Sequence, residues 1–304
     1  MNLNGFGIAK DEIKKSIVDA LDKSGILYRE FSRLKNETSV RKKILKDPQK
    51  YTTLTGKKIQ DIIGIRIALY FPSDVNIARE IIGGLFNERL TDSSITEQDI
   101  KTFEPSRFNL VYDIPEPLHS ILSNNNPANT EMTTQCGHFF IDSTFEIQLR
   151  TVLSEGWHEV EHDLRYKFPS DWDQLGLESR AFNGIYATLE TAEWSMNKII
   201  DQLAYHHYRE SKIDALIRAI FKLRLDSSAQ IKIELSQYLT HNKSILKKLL
   251  KIDREDFIIK RIGLKAPPPL NYNNIIYLAN HLYIHDDHID SITPDVIKQM
   301  ISMN

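Results

Sequence analysis

The chain of 304 residues is poor in cysteine and has no long hydrophobic run, and each scarcity excludes a class of protein. Cys136 is the only cysteine, so neither an intramolecular disulfide nor a zinc site built from cysteines can form. No stretch reaches the roughly 18 consecutive apolar residues of a membrane helix. The N-terminal segment, residues 1–15, lacks the apolar core of a secretion signal. We therefore expect a cytoplasmic protein with no membrane partner.

The net charge is also close to zero, because the chain has 39 Lys and Arg residues and 41 Asp and Glu residues. This balance argues against bulk binding to nucleic acids or to membranes. Residues 1–60 depart from it, with 14 basic against 7 acidic side chains. Such a local excess suits an anionic ligand, although a solvated basic face is the commoner meaning of a lysine-rich run.

Hydrophobic periodicity predicts two domains, an α/β domain over residues 1–170 and an all-helical C-terminal region over residues 171–304. Within the first, the pattern predicts a helix over 8–32, a short helix capped by Ser39 that ends before Pro48, a buried strand over 64–71, a helix over 77–86, extended chain over 103–114 and an exposed loop over 124–134. Within the second, it predicts a long helix that includes Ile185 and Leu203, then shorter helices with a break at prolines 267–269.

Residues 138–150 predict a β-hairpin with its turn at Asp142 and Ser143. In its second strand the period of two places Phe145, Ile147 and Leu149 on one face and Glu146, Gln148 and Arg150 on the other. A helix is predicted to follow, with an apolar stripe made of Leu153, Trp157, Val160 and Leu164.

Two carboxylates are candidates for metal binding. Asp61 comes just before the predicted buried strand, and Glu146 projects from the polar face of another strand. If those strands are neighbours, both carboxylates reach one point, where they can hold Mg²⁺ against substrate phosphates. Each carboxylate taken alone is more simply explained as solvated or paired with an arginine.

Four residues near the N-terminus add positive charge and a hydroxyl group at regular spacing. Arg33, Lys35, Ser39 and Lys43 follow one another in the chain, and the last three lie at i, i+4 and i+8 on one helical face. Phosphoryl transfer depends on such positive groups, because its catalysis consists mostly of positioning and charge stabilisation. An ordinary basic amphipathic helix would show the same spacing.

The order of these motifs resembles the synthetase domain of RelA/SpoT-type enzymes and the small alarmone synthetases. The resemblance covers roughly residues 25–168. It is carried by the four residues above, D-I-I-G-I-R at 61–66, E-I-Q-L-R-T at 146–151, Trp157, Glu161-His162 and Tyr166-Lys167. It implies an α+β fold with a nucleotidyltransferase-like mixed β-sheet flanked by helices. It also implies transfer of the β,γ-pyrophosphate of ATP to the ribose 3′-hydroxyl of GDP or GTP, which makes (p)ppGpp.

The resemblance also implies a role for each matching residue. Asp61 and Glu146 would be catalytic and would hold Mg²⁺. ATP would be bound by Arg33, Lys35, Ser39, Lys43 and Arg66, with the two arginines on either side of the adenine. The acceptor side would have Gln148 and Arg150, with His162 and Lys167 as further phosphate contacts. No alarmone hydrolase half is recognisable, so we expect synthesis without hydrolysis.

The sequence departs from the family where the acceptor base would stack. The family has a glycine–tyrosine segment before its E-x-Q-x-R-T strand, whereas residues 134–140 read T-Q-C-G-H-F-F. Arg107, Phe108 or Tyr112 can supply another stacking platform, or the two aromatic residues can be core residues of a strand. A tRNA 3′ end or an adenine nucleotide therefore stays open as the acceptor beside a guanosine nucleotide.

Other interpretations are weaker. Residues 158–162 read H-E-V-E-H, which matches the zinc-protease pattern, but no downstream glutamate is singled out as the third ligand. A catalytically inactive nucleotide-binding module would have lost Asp61 or Glu146 first. His206-His207 and the histidines 285 and 288 are predicted to be surface residues. The helical C-terminal region can serve homo-oligomerisation, bind a protein antitoxin or a sensor ligand, or cover the active site.

Overall fold

The computed structural model describes residues 3–51, 58–96, 107–125, 141–226 and 228–303. The chain divides into two compact units. The first comprises Met1–Ala20, Tyr28–Leu69 and Ile81–Tyr186, and the second comprises Leu21–Leu27, Tyr70–Glu80 and Ala187–Asn304. The domain boundary predicted at residue 170 falls inside the first unit and stays a prediction.

The first unit contains a mixed five-stranded sheet. Its strands are β1 (Tyr28–Leu34), β2 (Ile63–Leu69), β3 (Ser94–Thr96), β4 (Arg107–Asp113) and β5 (Thr144–Thr151). They are arranged in the order β1-β2-β5-β4-β3, with β2 and β5 parallel and the other neighbours antiparallel. The predicted fold class is confirmed: a mixed sheet flanked by helices, followed by a helical C-terminal region.

Among the described residues before residue 176 there are six helices and two short helical turns. They are α1 (Asn4–Ser24), α2 (Glu37–Lys46), α3 (Pro48–Tyr51), α4 (Asp74–Gly83), α5 (Glu116–Asn125), α6 (Val152–Glu161), a π-helical turn (His162–Tyr166) and a 3-10 turn (Pro169–Trp172). The strand predicted over 64–71 corresponds to β2, and the helix predicted over 77–86 corresponds to α4 with a start three residues earlier.

The helix predicted over residues 8–32 is wrong at its C-terminal end. α1 stops at Ser24, because Gly25 adopts a left-handed conformation with φ of 80°. A Cβ atom at this glycine would lie 2.3 Å from Leu270 Cδ2, so the position has room for glycine alone. The chain then re-enters as strand β1 from Tyr28.

The cap of α2 differs from the prediction, and the predicted hairpin is described only in part. α2 is capped by Asn36, whose side chain accepts a hydrogen bond from the Ser39 backbone nitrogen at 2.8 Å, so Ser39 lies inside the helix. Ile141 forms a parallel bridge with Ile59, and β5 pairs with β2 and β4. The first arm of the predicted hairpin, residues 138–140, lies outside the described residues, as do 103–106 of the predicted extended chain and 126–134 of the predicted loop.

The remaining chain is helical, as predicted. Its elements are α7 (Gly176–Glu210), α8 (Ile213–Phe221), α9 (Ile233–His241), α10 (Lys243–Leu250), α11 (Arg254–Ile262), α12 (Tyr272–Ala279), a π-helical turn (Asn280–Ile284), α13 (Asp287–Ile292) and α14 (Asp295–Ser302). The predicted proline break separates α11 from α12. In the part of the chain that the structure describes, no helix combines the length and the apolar character that spanning a bilayer requires.

Buried ion pairs and hydrogen bonds hold the second unit together. Arg254 bonds to Asp74, which is fully buried, and donates to the Phe221 carbonyl at 2.6 Å. Arg261 is 5% exposed and donates to the carbonyls of Lys23 (2.7 Å) and Pro268 (2.9 Å). Such groups stabilise a core only while all their partners are present.

Candidate functional site

One face of the sheet carries polar side chains in two adjacent rows. Phe31, Arg66 and Gln148 are register partners across β1, β2 and β5, and the next row holds Arg33, Gly64 and Glu146. Paired residues on neighbouring strands project from the same face. The other face of β1 contacts α1, where Lys14 pairs with Glu30 at 2.7 Å. The predicted alternation in β5 is confirmed, because Glu146, Gln148 and Arg150 are half-buried and the residues between them are buried.

These two rows form the floor of a pocket of about 430 Å³. Seven of the predicted site residues line it, together with seven residues that were not predicted. The first group is Arg33, Asp61, Arg66, Glu146, Gln148, His162 and Lys167, and the second is Phe31, Ser32, Gly64, Ile65, Glu155, Glu159 and Asp163. All of them belong to the first unit.

Asp61 lies where two lysine ammonium groups meet. Its Oδ2 atom accepts hydrogen bonds from Lys35 Nζ at 2.6 Å and from Lys43 Nζ at 2.9 Å. The Lys35 backbone nitrogen donates to the Ile62 carbonyl at 2.8 Å, which ties the basic segment to the start of β2. Burial raises the pKa of Asp61, but the hydrogen bonds from the two lysines outweigh it and hold the pKa below its ordinary value.

Gly64 leaves the centre of the pocket floor open. It lies between Arg33 and Glu146 in the second row. A Cβ atom built on it would lie 3.5 Å from both Cγ and Nε of Arg33, with no other atom within 4 Å. The missing side chain therefore leaves a space beside the Arg33 guanidinium that a bound ligand can occupy.

Helix α6 covers part of the floor with two glutamates that the sequence reasoning missed. Nη1 of Arg66 bonds to Glu155 and to Glu159, which are one turn apart, and its Nε donates to Gln148 Oε1 at 3.2 Å. Arg150 Nη1 donates to Glu155 Oε2 at 3.0 Å. The i, i+4 spacing of the two glutamates on one face of a helix that follows β5 was the available signal.

Glu146 belongs to the same hydrogen-bonded chain. Gln148 Nε2 donates to Glu146 Oε1 at 3.1 Å, so one carboxamide links the glutamate to Arg66. The start of α6 is held by a capping box, in which the Ser154 backbone nitrogen donates to Thr151 Oγ1 at 3.1 Å. The capped helix and the sheet register together place this network.

The rim of the pocket carries His162, Asp163 and Lys167. His162 begins the π-helical turn and stacks on Tyr166 with ring centroids 5.7 Å apart. Lys167 Nζ contacts Asp163 Oδ1 at 2.6 Å, and the hydrogen bonds from Lys167 and His162 lower the pKa of Asp163. An anion that bound Lys167 would have to compete with this carboxylate.

The two histidines of the H-E-V-E-H pattern have different surroundings. His158 is 3% exposed and packs against Trp157 and Tyr186, whereas His162 lies at the pocket rim. Among the described residues, no group of three or more His, Cys, Asp and Glu side chains is arranged to hold a metal ion. The zinc-protease interpretation would require His158 to leave this aromatic cluster and turn towards a metal.

Some predicted site residues do not line the pocket, and the side chain of another is not among those that the structure describes. Tyr112 is fully buried and stacks on Phe145 at 5.6 Å, so its prediction as an acceptor platform is corrected to a core residue. Ser39 and Arg150 are half-buried and are not among the residues that line the pocket. The side chain of Arg107 lies outside what the structure describes.

Asp61 has the free oxygen that a Mg²⁺ ligand needs. Its Oδ1 atom is buried and has no hydrogen-bond partner in the described part of the chain, while Oδ2 is held by the two lysines. Mg²⁺ usually binds through one or two carboxylates plus waters and substrate phosphates, so it does not need a cluster of three acidic side chains. The donor set of Asp61 and Glu146 fits this ion.

Comparison with known proteins gives a family match for the segment that contains the site. Residues 32–171, a little under half of the chain, match the model of the region found in RelA/SpoT proteins. This match confirms the predicted resemblance over that segment. No curated protein matches the chain.

Three solved structures are also similar to the chain. A GTP pyrophosphokinase family protein from Streptococcus pneumoniae is 21% identical, with 65% of this chain and 90% of that chain covered and a TM-score of 0.44. Small alarmone synthetase 1 from Bacillus subtilis is 20% identical, with 66% of this chain and 96% of that chain covered and a TM-score of 0.43. The structure of the same synthetase bound to its product pppGpp is 21% identical in sequence to this chain. The match covers 66% of this chain and 96% of that chain, with a TM-score of 0.45. These low identities and TM-scores decide nothing about activity.

Proposed function

We propose that this protein transfers the β,γ-pyrophosphate of ATP to the ribose 3′-hydroxyl of a guanosine nucleotide. The observation that carries the proposal is the meeting of Lys35 and Lys43 on Asp61, beside a sheet face that bears Arg33, Arg66 and Glu146. Phosphoryl transfer requires cations around the phosphates and a base near the nucleophile. Both kinds of group converge here, within the segment that matches RelA/SpoT proteins.

The donor side consists of β1, β2 and the start of α2. Arg33 and Arg66 present flat guanidinium groups, which stack well on a purine ring. Lys35 and Lys43 would bind the triphosphate, because their ammonium groups already lie within 3 Å of one carboxylate oxygen and phosphate oxygens can share them. Their charges would stabilise the transferring group.

Asp61 and Glu146 would also hold Mg²⁺ when it binds. The ion would neutralise negative charge on the phosphate oxygens. The lysines limit how far Asp61 can turn, since both are anchored on its Oδ2 atom.

Glu146 would act as the base in the transfer. Gln148 holds the Glu146 carboxylate through its Nε2 atom. In the proposed step the acceptor 3′-oxygen attacks the β-phosphorus of ATP, and the bond from that phosphorus to the α–β bridging oxygen breaks. The hydroxyl proton passes to Glu146, and AMP leaves with the bridging oxygen.

The identity of the nucleotide that accepts the pyrophosphate is a separate part of the proposal. Tyr112 is in the core, and among the described residues that line the pocket Phe31 carries the one phenyl ring. In the described part of the acceptor side, the aromatic ring at the pocket is the His162 imidazole at the rim, which stacks on Tyr166. A tRNA 3′ end and an adenine nucleotide stay alternatives to GDP or GTP. His162 and Lys167 at the rim remain proposed acceptor-side contacts.

Transfer of label from ATP tests the proposal. Purified protein is incubated with Mg²⁺, ATP labelled in its γ-phosphate, and GDP, GTP, ADP or deacylated tRNA in competition. We expect label in a guanosine nucleotide. Label in tRNA alone would support the donor site and overturn the acceptor, and binding of ATP without any labelled acceptor would indicate an inactive nucleotide-binding module.

A further inference from the structure

Phe31 is an apolar side chain on the charged face of an edge strand. In β1 the side chains of Tyr28 and Glu30 face α1, and Phe31 and Arg33 face the pocket. Phe31 is 53% exposed. Exposure of a single hydrophobic residue is ordinary. A binding role of Phe31 is therefore indicated by its position in the pocket and not by its exposure.

The position is a corner of a four-residue patch. Phe31 pairs with Arg66 across β1 and β2, and Arg33 pairs with Gly64 in the next row. Because Gly64 has no side chain, a phenyl ring and two guanidinium groups surround an open space. Aromatic and guanidinium faces both stack on nucleobases, so this patch suits a flat purine ring.

Arg66 makes its hydrogen bonds through the edges of its guanidinium group. Its Nη1 atom bonds to Glu155 and Glu159, and its Nε atom donates to Gln148. Guanidinium hydrogen bonds lie in the plane of the group. These contacts therefore use its edges and not its flat sides.

We infer that Phe31 packs against the adenine of the ATP donor, an inference that rests on the proposed function. The donor is favoured over the acceptor by the strand order. β1 is the edge strand, separated by β2 from β5, which bears Glu146 and Gln148. Lys35, one of the proposed phosphate ligands, follows Phe31 by four residues on the same segment.

Calorimetric binding of a non-hydrolysable ATP analogue tests the role of Phe31. Phe31→Ala should weaken binding by about tenfold, the size expected for one base–aromatic contact. Phe31→Tyr should bind close to the wild-type value, and Phe31→Leu should fall between, since it keeps apolar contact and loses the ring. Leu45→Ala, which removes a side chain that is 75% exposed on α2 and does not line the pocket, should change nothing.

Inorganic tripolyphosphate separates base contact from phosphate contact. Its affinity should be the same for the wild type and Phe31→Ala, because Phe31 is assigned to the base. Equal weakening of both ligands, or no weakening of the ATP analogue, would overturn the inference.

The outcomes distinguish this inference from the proposed function. If the wild type binds the analogue but labels no acceptor, the proposed reaction fails while the binding series still decides the role of Phe31. If Phe31→Ala binds and transfers like the wild type, the role of Phe31 fails and the reaction stands. Absence of analogue binding to the wild type would overturn both.

Discussion

Replacing Asp61 with asparagine removes one negative charge from the point where two lysines meet. Lys35 Nζ and Lys43 Nζ lie 2.6 and 2.9 Å from the same Asp61 oxygen. Asparagine keeps the size of the side chain and one acceptor oxygen, so the substitution changes charge and little else. It leaves two partly buried ammonium groups close together without a carboxylate.

The expected cost to stability is small and the expected cost to activity is large. The three side chains are 21 to 34% exposed, so weakening both contacts should lower the free energy of unfolding by about 1–2 kcal/mol. Transfer should fall by about a hundredfold or more, because a proposed metal ligand and its charge are lost. Tripolyphosphate should bind at least as tightly as to the wild type, since the carboxylate no longer competes for Lys35 and Lys43.

The difference in free energy of unfolding between the wild type and Asp61→Asn should shrink as the pH falls. Hydrogen bonds from the lysines outweigh the effect of burial and hold the folded-state pKa of Asp61 below its ordinary value of 3.8. A lowered carboxylate pKa stabilises the folded state above the unfolded-state pKa, and this contribution is lost as the pH falls through the folded-state pKa. The wild type should therefore exceed Asp61→Asn by a constant amount near neutral pH and lose this advantage below a pH near 3.8.

Urea unfolding over a pH series, tripolyphosphate calorimetry and the labelled transfer assay together measure these effects. Asp11→Asn is a matched control, because Asp11 is 71% exposed on α1, away from the pocket. Wild-type turnover by Asp61→Asn in excess Mg²⁺ would refute the assigned metal and phosphate site. Much weaker tripolyphosphate binding would refute the competition between Asp61 and phosphate for the lysines.

Three further predictions concern other residues. Glu146→Gln should abolish transfer and keep binding of the ATP analogue, and near wild-type single-turnover rates would contradict its role as base. Arg33→Ala and Lys43→Ala should each weaken use of ATP by about 1.5–3 kcal/mol and leave the acceptor constant almost unchanged in steady-state kinetics; a defect confined to the acceptor would reverse the assignment. Arg254→Ala should lower the free energy of unfolding in urea by about 3–5 kcal/mol, because it leaves the Asp74 carboxylate buried without its partner, and a loss below about 1 kcal/mol would contradict this.

Local patterns in the sequence predicted which side chains share a face, but not which strands are neighbours. The alternation over residues 144–151 places Glu146 and Gln148 together, because side chains alternate in any strand. That β5 pairs in parallel with β2, and so brings Gly64 beside Glu146, depends on contacts between distant parts of the chain. The parallel bridge between Ile141 and Ile59 is equally non-local.

Element ends were missed where a single residue overrides the hydrophobic pattern. Apolar residues at helical spacing continue past Ser24, and Gly25 was the signal that α1 ends there. Ser39 was expected to cap α2, but Asn36, three residues earlier, forms the cap.

The sequence indicated more of the basic residues of the site than of its acidic residues. The spacing of Lys35 and Lys43 indicated that they act together, and the structure brings both to Asp61. The ion pairs of Arg66 with Glu155 and Glu159 were not predicted, because they depend on how α6 lies over the sheet.

The proposed reaction leaves an intact pyrophosphate on the ribose 3′-oxygen of the acceptor, and phosphorus NMR of the product tests this most directly. The wild type is incubated with Mg²⁺, ATP and GDP or GTP, with Glu146→Gln as the matched control. We predict a new 3′-diphosphate on the guanosine nucleotide and one AMP formed for each product molecule in the wild type, and neither in the variant. Formation of ADP and free phosphate, or a guanosine nucleotide unchanged at its 3′ position while AMP accumulates, would contradict the proposed function.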